Sequence, residues 1–194
     1  MKNQWKHYVS EAFEAMITSS DTRELGKLLA IPNEYMQRDW INHYTDITVH
    51  RRENAEECDG NQSGYDLLSD GGLTINSKFR SKTIHLENTR RVSKKNIGSA
   101  SRSGHVAYSL GECDVYCFTR PHSNYRQTDM CELVAIPEVA LEDPKNPGYL
   151  VRSVPLRTLR KWEGKTKEVL ESAEKQKREK GRLLLESFNE FCSE

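Results

Sequence analysis

GYDLLSDGGLTINSKFR, residues 64–80, is the stretch whose reading decides the fold. β-forming residues flank Ser69-Asp70-Gly71-Gly72, and glycine accepts the backbone torsions that a tight turn imposes. The pattern predicts a strand over 65–68, a turn over 69–72 and a second strand over 73–80. Asp66 then stands on the first strand, with Asn76 and Lys78 on the second. Residues at i and i+2 of a strand share a face, so Asn76 and Lys78 project together. Asp70 precedes two glycines, and a turn role accounts for it better than a role as a rival metal ligand.

An acid, an amide oxygen and a lysine on one hairpin make a chemically meaningful set. Hard divalent cations take oxygen ligands, and such a cation neutralises charge growing on a phosphate. A lysine beside it can hold or deprotonate an attacking water. The combination suits cleavage of a phosphodiester.

Downstream of Lys78 the chain becomes basic. Between Lys78 and Gly104 stand Lys78, Arg80, Lys82, Arg90, Arg91, Lys94, Lys95 and Arg102 against the single acid Glu87. The whole chain is neutral, with 29 basic and 29 acidic side chains, so this asymmetry marks a surface that faces a polyanion. Residues 85–96, HLENTRRVSKKN, mix side chains suited to base edges and to phosphates. Arg90 and Arg91 match guanine, Asn88 and Asn96 match adenine, and Glu87 can accept from cytosine. Lys94, Lys95, Ser99, Ser101 and Ser103 suit backbone contacts, which position without specifying. Arg80, His85, Ser93 and Arg102 complete the candidate DNA-facing set. A solvated basic loop is the competing reading. His105 and His122 stand alone, without a second histidine at ligand spacing.

The segment 105–110 reads as helical, 114–119 (DVYCFT) and 131–136 (CELVAI) as strands, and 137–141 as a short helix. Pro144, Pro147 and Gly148 punctuate a loop before residues 149–155. The tail, 157–191, has strong helical propensity and heavy charge; its polar middle predicts a helix that crosses solvent and packs at both ends, with a possible break at Gly181. Upstream, Trp5, Tyr8, Val9, Phe13, Met16 and Ile17 recur at helical spacing over 5–19. A second short helix is expected from Asp21, with Glu24 completing a capping box, and Pro32 suits the first turn of a third helix running to about residue 43. A strand over 46–51 and a polar loop over 53–64 follow.

At 194 residues, 36% hydrophobic and 30% charged, the chain fits one α/β domain: an N-terminal helical part (1–50), a core (60–142) and a C-terminal helix (157–191). No apolar run reaches membrane-spanning length and residues 1–20 lack the apolar core of a signal peptide, so a soluble, cytoplasmic protein without a membrane partner is expected. Five cysteines, none in a CxxC pair, read as reduced thiols. Cys113 and Cys117, four apart, are expected on one face of a strand.

The hairpin residues resemble the PD-(D/E)xK nuclease superfamily: an acid, Asp66, about ten residues across a hairpin, then the triplet Asn76-Ser77-Lys78. The spacing and the order of following elements look most like type II restriction endonucleases of the PvuII and EcoRV kind, over residues 60–142. That resemblance implies a restriction-endonuclease-like central mixed β-sheet flanked by helices and Mg²⁺-dependent, site-specific hydrolysis of double-stranded DNA by a homodimer. Asp66 and Asn76 would hold the metal, and Lys78 would orient or activate the water. Asn76 departs from the pattern, which has an acid there; a natural variant and an introduced acid-to-amide change both explain it. N-terminal helices of this fold contribute a further carboxylate, for which Glu11 and Glu14 are candidates. A repair or recombination nuclease of the same fold, or a DNA-binding protein with impaired catalysis, are the alternatives.

Overall fold

A computed structural model describes residues 22–52, 64–79, 84–88, 106–120 and 132–193. The decisive hairpin is present. Strand β2 (Leu67–Ser69) runs antiparallel to β3 (Thr74–Phe79), with Leu67 opposite Ile75 and Leu68 opposite Thr74. The Ser69 N–H donates to the Leu73 carbonyl at 2.9 Å, and Gly72 takes a φ of 83°, which a side chain would strain. Asp70 serves the turn: its N–H donates to the Thr48 carbonyl and its carboxylate lies 2.8 Å from His50 Nε2.

The hairpin forms part of a five-stranded mixed sheet. Its order is β1 (Val49–Arg51), β2, β3, β7 (Val115–Arg120) and β8 (Glu132–Pro137). Strands β3 and β7 are parallel, with Asn76 beside Tyr116 and Lys78 beside Phe118; all other neighbours are antiparallel. From Val115 the stretch DVYCFT, and from Glu132 the stretch CELVAI, are strands, as their sequences predict. Alternation divides them between two cores. Val115, Cys117, Leu133 and Ala135 face one side with Ile75, while Tyr116, Phe118, Val134 and Ile136 face the other.

Two helices cover the first face. Helix α1 (Thr22–Tyr44) contributes Ile41, and a later helix contributes Val169 and Leu170. The second face is closed by Leu86, Leu141, Leu150, Val154 and Leu159. Leu86 links β4 (Ile84–His85), paired with β9 (Ser153–Val154), to β5 (Glu87–Asn88), paired with β6 (Val106–Ala107); Leu141 ends the 3-10 turn Glu138–Leu141, Leu150 bridges Glu142, Val154 belongs to β9 and Leu159 to helix α2 (Leu156–Trp162). The α/β class and the helix-flanked mixed sheet agree with expectation. Among the described residues no helix is long and apolar enough to cross a membrane.

Several local expectations fail. Pro32 does not open a third helix, because α1 runs unbroken from Thr22 to Tyr44. An internal proline forfeits a backbone hydrogen bond, roughly 3 kcal/mol against the helix, so anchorage of residues 33–41 on the sheet outweighs the local signal. The segment expected to be helical over 105–110 is extended where described: β6 pairs with β5, and Ser109 bridges Tyr149. Cys113 and Cys117 occupy opposite cores, since Cys113 precedes β7 and does not follow its alternation.

The C-terminal helix is two helices. Gly164, at a φ of 74°, separates α2 from α3 (Thr166–Ser193), which continues through Gly181. Only the first part of α3 packs on the sheet; Leu183, Leu184, Leu185 and Phe188 are exposed. The expected helix over 5–19, with Glu11 and Glu14, lies outside the described residues.

Candidate active site

Asp66 sits just before β2, and its location follows from the hairpin register. Its N–H donates to the Ile75 carbonyl at 2.9 Å, while its own carbonyl accepts from the Arg52 N–H at 3.0 Å. The carboxylate turns back onto β3 and accepts the Ser77 N–H at 2.6 Å. Asp66 is thus tied to the backbone between Asn76 and Lys78. Burial pushes its carboxyl above the usual range, against the opposing pull of Lys78, the Ser77 N–H, Arg51 and Arg52.

Asn76 is buried, and its Nδ2 donates to the Gly64 carbonyl at 2.6 Å. That bond fixes which end of the amide is oxygen, and the inward Oδ1 has no hydrogen-bond partner among the described residues. A buried acceptor without a donor costs on the order of 1–3 kcal/mol. Lys78, two residues on, is half-buried, and its Nζ lies 5.3 Å from the centre of the Tyr108 ring. Tyr108 in turn donates its N–H to the Leu86 carbonyl at 3.2 Å, joining the lysine's surroundings to the segment 84–88.

Two further residues belong here that the sequence did not reveal. Glu34 of α1 is buried and pairs with Arg51 of β1, Nε to Oε2 at 2.6 Å. Burial raises the Glu34 carboxyl, the Arg51 hydrogen bond lowers it, and the neighbouring Asp66 raises it again. Lys78 pulls on Glu34 as well as on Asp66. Glu34 is therefore a helix carboxylate close enough to interact with both Asp66 and Lys78. Nothing local marks it: Glu34 and Arg51 are seventeen residues apart, and only the docking of α1 on the sheet brings them together. Beside it Asn33 donates from Nδ2 to Ser77 Oγ at 2.7 Å, and Gln37 donates from Nε2 to Thr119 Oγ1 at 2.7 Å.

The donor set suits a magnesium ion, which usually keeps several waters and takes one or two protein oxygens. Asp66 offers a carboxylate, and the unpartnered Asn76 Oδ1 offers a neutral oxygen. Among the described residues no three aspartate, glutamate, histidine or cysteine side chains gather as a ligand cluster. Of the candidate DNA-facing residues, His85, Glu87 and Asn88 are placed by their backbones on β4 and β5. Arg80, Arg90, Arg91, Ser93, Lys94, Lys95, Asn96, Arg102 and Ser103 lie outside the described residues.

The raised Asp66 carboxyl has a consequence for stability. A carboxyl whose folded pKa exceeds its unfolded value favours folding at low pH, and the benefit is lost as pH rises through the folded pKa. Asp66→Asn is therefore expected to melt higher than the parent at pH 8, by on the order of 2–4 °C, as about 1 kcal/mol does in a chain of this size. The gap should close as pH falls below the ordinary aspartate range. Thermal melts of both proteins at pH 8 and pH 4 check this; a variant less stable than the parent at pH 8 refutes the assigned direction.

Comparison of the chain with family models, curated proteins and solved structures finds no match.

Proposed function

We propose that the chain is a type II restriction endonuclease of the PD-(D/E)xK kind, hydrolysing duplex DNA at a short specific sequence with Mg²⁺. The observation that carries this reading is the meeting of Asp66 and Lys78 across one hairpin, with a buried, unpartnered Asn76 oxygen on the same strand as the lysine. The strand order around them supports it. The lysine strand β3 is followed by the further core strands β7 and β8, as the resemblance implies, while the helix expected before them at 105–110 is extended where described.

Asp66 and Asn76 would hold the ion. Mg²⁺ there would make a bound water more acidic and neutralise charge on the scissile phosphate. Lys78 opposes the upward shift that burial gives the Asp66 carboxyl, would offer N–H donors to the attacking oxygen, and would offset phosphate charge. Its ammonium carries the charge beside the Tyr108 ring, on the side of the sheet where segment 84–88 enters. From there the basic stretch would reach over the duplex: Arg90 and Arg91 to guanines, His85, Glu87, Asn88 and Asn96 to other base edges, Arg80, Ser93, Lys94, Lys95, Arg102 and Ser103 to phosphates. A homodimer would match a two-fold symmetric site.

One observation favours a second reading. The amide at Asn76 lacks the charge of the acid in the superfamily pattern, which favours a DNA-binding protein with impaired catalysis.

Incubating the purified chain with phage DNA in Mg²⁺ separates these. Discrete fragments are the expected result. A smear, or cutting confined to junctions, transfers the reading to a repair or recombination nuclease. Intact DNA that is nevertheless bound, with a steep salt dependence, supports the impaired binder.

A further inference from the structure

Two cations stand against tyrosines that pack on the second face of the sheet. Lys78 Nζ lies 5.3 Å from the centre of the Tyr108 ring, and the guanidinium carbon of Arg52 lies 5.0 Å from the centre of the Tyr65 ring. Both rings pack on the core that Leu86, Tyr116 and Phe118 share. The alternation of β1 explains why Arg52 reaches this face. Arg51 turns towards α1, where it meets Glu34 and the Tyr35 ring, and the next residue of an extended chain points the other way.

Arg52 is also tied to the hairpin. Its N–H donates to the Asp66 carbonyl at 3.0 Å, and its Nη1 stands 3.6 Å from the position that a Cβ on Gly64 would take. The guanidinium therefore rests on Gly64 and Tyr65, the two residues that lead into Asp66, and the Gly64 carbonyl is the one that holds Asn76 Nδ2. Arg52 directly follows β1, Asp66 directly precedes β2, and Lys78 is on β3, with β2 between the other two strands. The two cations thus flank Asp66, and both lower its carboxyl against burial.

What Arg52 lacks is an acid. Glu34 takes Arg51, Asp39 takes Arg38 and Asp70 lies against His50. Among the described residues no carboxylate meets the Arg52 guanidinium. A tyrosine ring holds a guanidinium by its charge and leaves N–H donors for oxygens. Those donors form a rigid fork that matches two oxygens of a phosphate.

We propose that Arg52, held on Tyr65, binds a backbone phosphate of the duplex next to the phosphate at Asp66. With Lys78 on the other side of Asp66, this contact fixes the strand across the hairpin. The assignment rests on the reading of this face as the one that meets DNA, and it holds whether or not the chain cuts.

Duplex binding without Mg²⁺, followed by fluorescence anisotropy over a range of salt concentrations, tests the contact apart from cleavage. Each phosphate neutralised adds about 0.9 to the slope of log K against log salt. Arg52→Gln is expected to lower that slope by about 0.9, weakening binding roughly tenfold at about 50 mM salt and about threefold at about 200 mM. Arg52→Met, which keeps the aliphatic stem over Tyr65, should do the same and carries the test if Arg52→Gln folds poorly. Arg52→Lys keeps the charge and should keep the slope. Where the parent cuts, the loss in Arg52→Gln should fall on KM, as for a contact made equally in ground and transition states.

An unchanged slope in both uncharged variants, beside a steep slope in the parent, overturns the contact and leaves the DNA reading standing. It is the result expected if Glu53, Glu56, Glu57 or Asp59, which lie outside the described residues, neutralise Arg52. A loss confined to kcat moves Arg52 to the reacting phosphate and overturns its assignment to the neighbouring one. A parent that binds no duplex removes the DNA reading, and this contact with it.

Discussion

Replacing Lys78 with alanine is expected to cut the rate of DNA hydrolysis by roughly 10²–10⁴-fold, the range over which a positioned proton-handling group acts. Lys78 has two effects at the site. Among the described residues it supplies an ammonium close to Asp66, and it is the strongest of the influences that lower the Asp66 carboxyl against burial. Removing it withdraws the positive charge and lets the Asp66 carboxyl rise further, so the variant's remaining activity should need a more alkaline pH than the parent's. Fragments from the parent and none from the variant, with duplex binding unchanged within a few-fold, is the result that fits. Equal cutting by both removes Lys78 from the mechanism. Asn76→Asp completes the experiment from the other side: a carboxylate is the stronger ligand, and the Mg²⁺ needed for half-maximal cutting should fall by about tenfold. If Asn76→Asp cuts where the parent does not, the parent is the impaired binder.

Arg51→Ala should be among the most destabilising single changes near the site. The Arg51 and Glu34 side chains are only 8 and 10% exposed, and their 2.6 Å contact offsets the cost of burying both charges. Truncating one partner of a buried pair leaves the other charged and unsolvated, a loss of about 3–5 kcal/mol. For a chain of this size that is a fall in melting temperature on the order of 10 °C. The pH dependence follows from the direction of the Glu34 shift. Its folded carboxyl already lies above the ordinary value, and without Arg51 it lies higher still. Stability is then greatest at low pH and is lost as pH rises through that folded value, so the deficit should be largest at neutral and alkaline pH. Glu34→Gln combined with Arg51→Met, which removes both charges and keeps volume, should recover most of the loss. A double variant as unstable as Arg51→Ala would mean that the pair matters for its shape and not its charge.

Glu34 also shows where reading the chain stops. A glutamate on a predicted helix is ordinarily solvated, and no spacing rule connects it to a hairpin more than thirty residues away. Asp66, Asn76 and Lys78 were legible because a turn of known chemistry fixes their relation, and their surroundings were not. The orphaned Asn76 oxygen depends on the Gly64 carbonyl, and the lysine's aromatic neighbour comes from Tyr108, across the ribbon that Leu86 closes.

What the sequence determined by itself is what local chemistry decides. Period-two alternation gives β3, β7 and β8, and Asp70-Gly71-Gly72 gives the turn and hence the register that sets Asp66 against Ser77. Tertiary structure decided the rest, because there the local preference is weak or opposed. Pro32 is carried inside a helix since residues 33–41 bury a face against the sheet. Segment 106–110 is drawn into extended pairing by strands distant in sequence. Cys113 and Cys117 part to opposite cores because one lies before the strand begins. The apolar end of α3 stays exposed because the sheet stops short of it, a length mismatch between two elements that no residue of either one encodes.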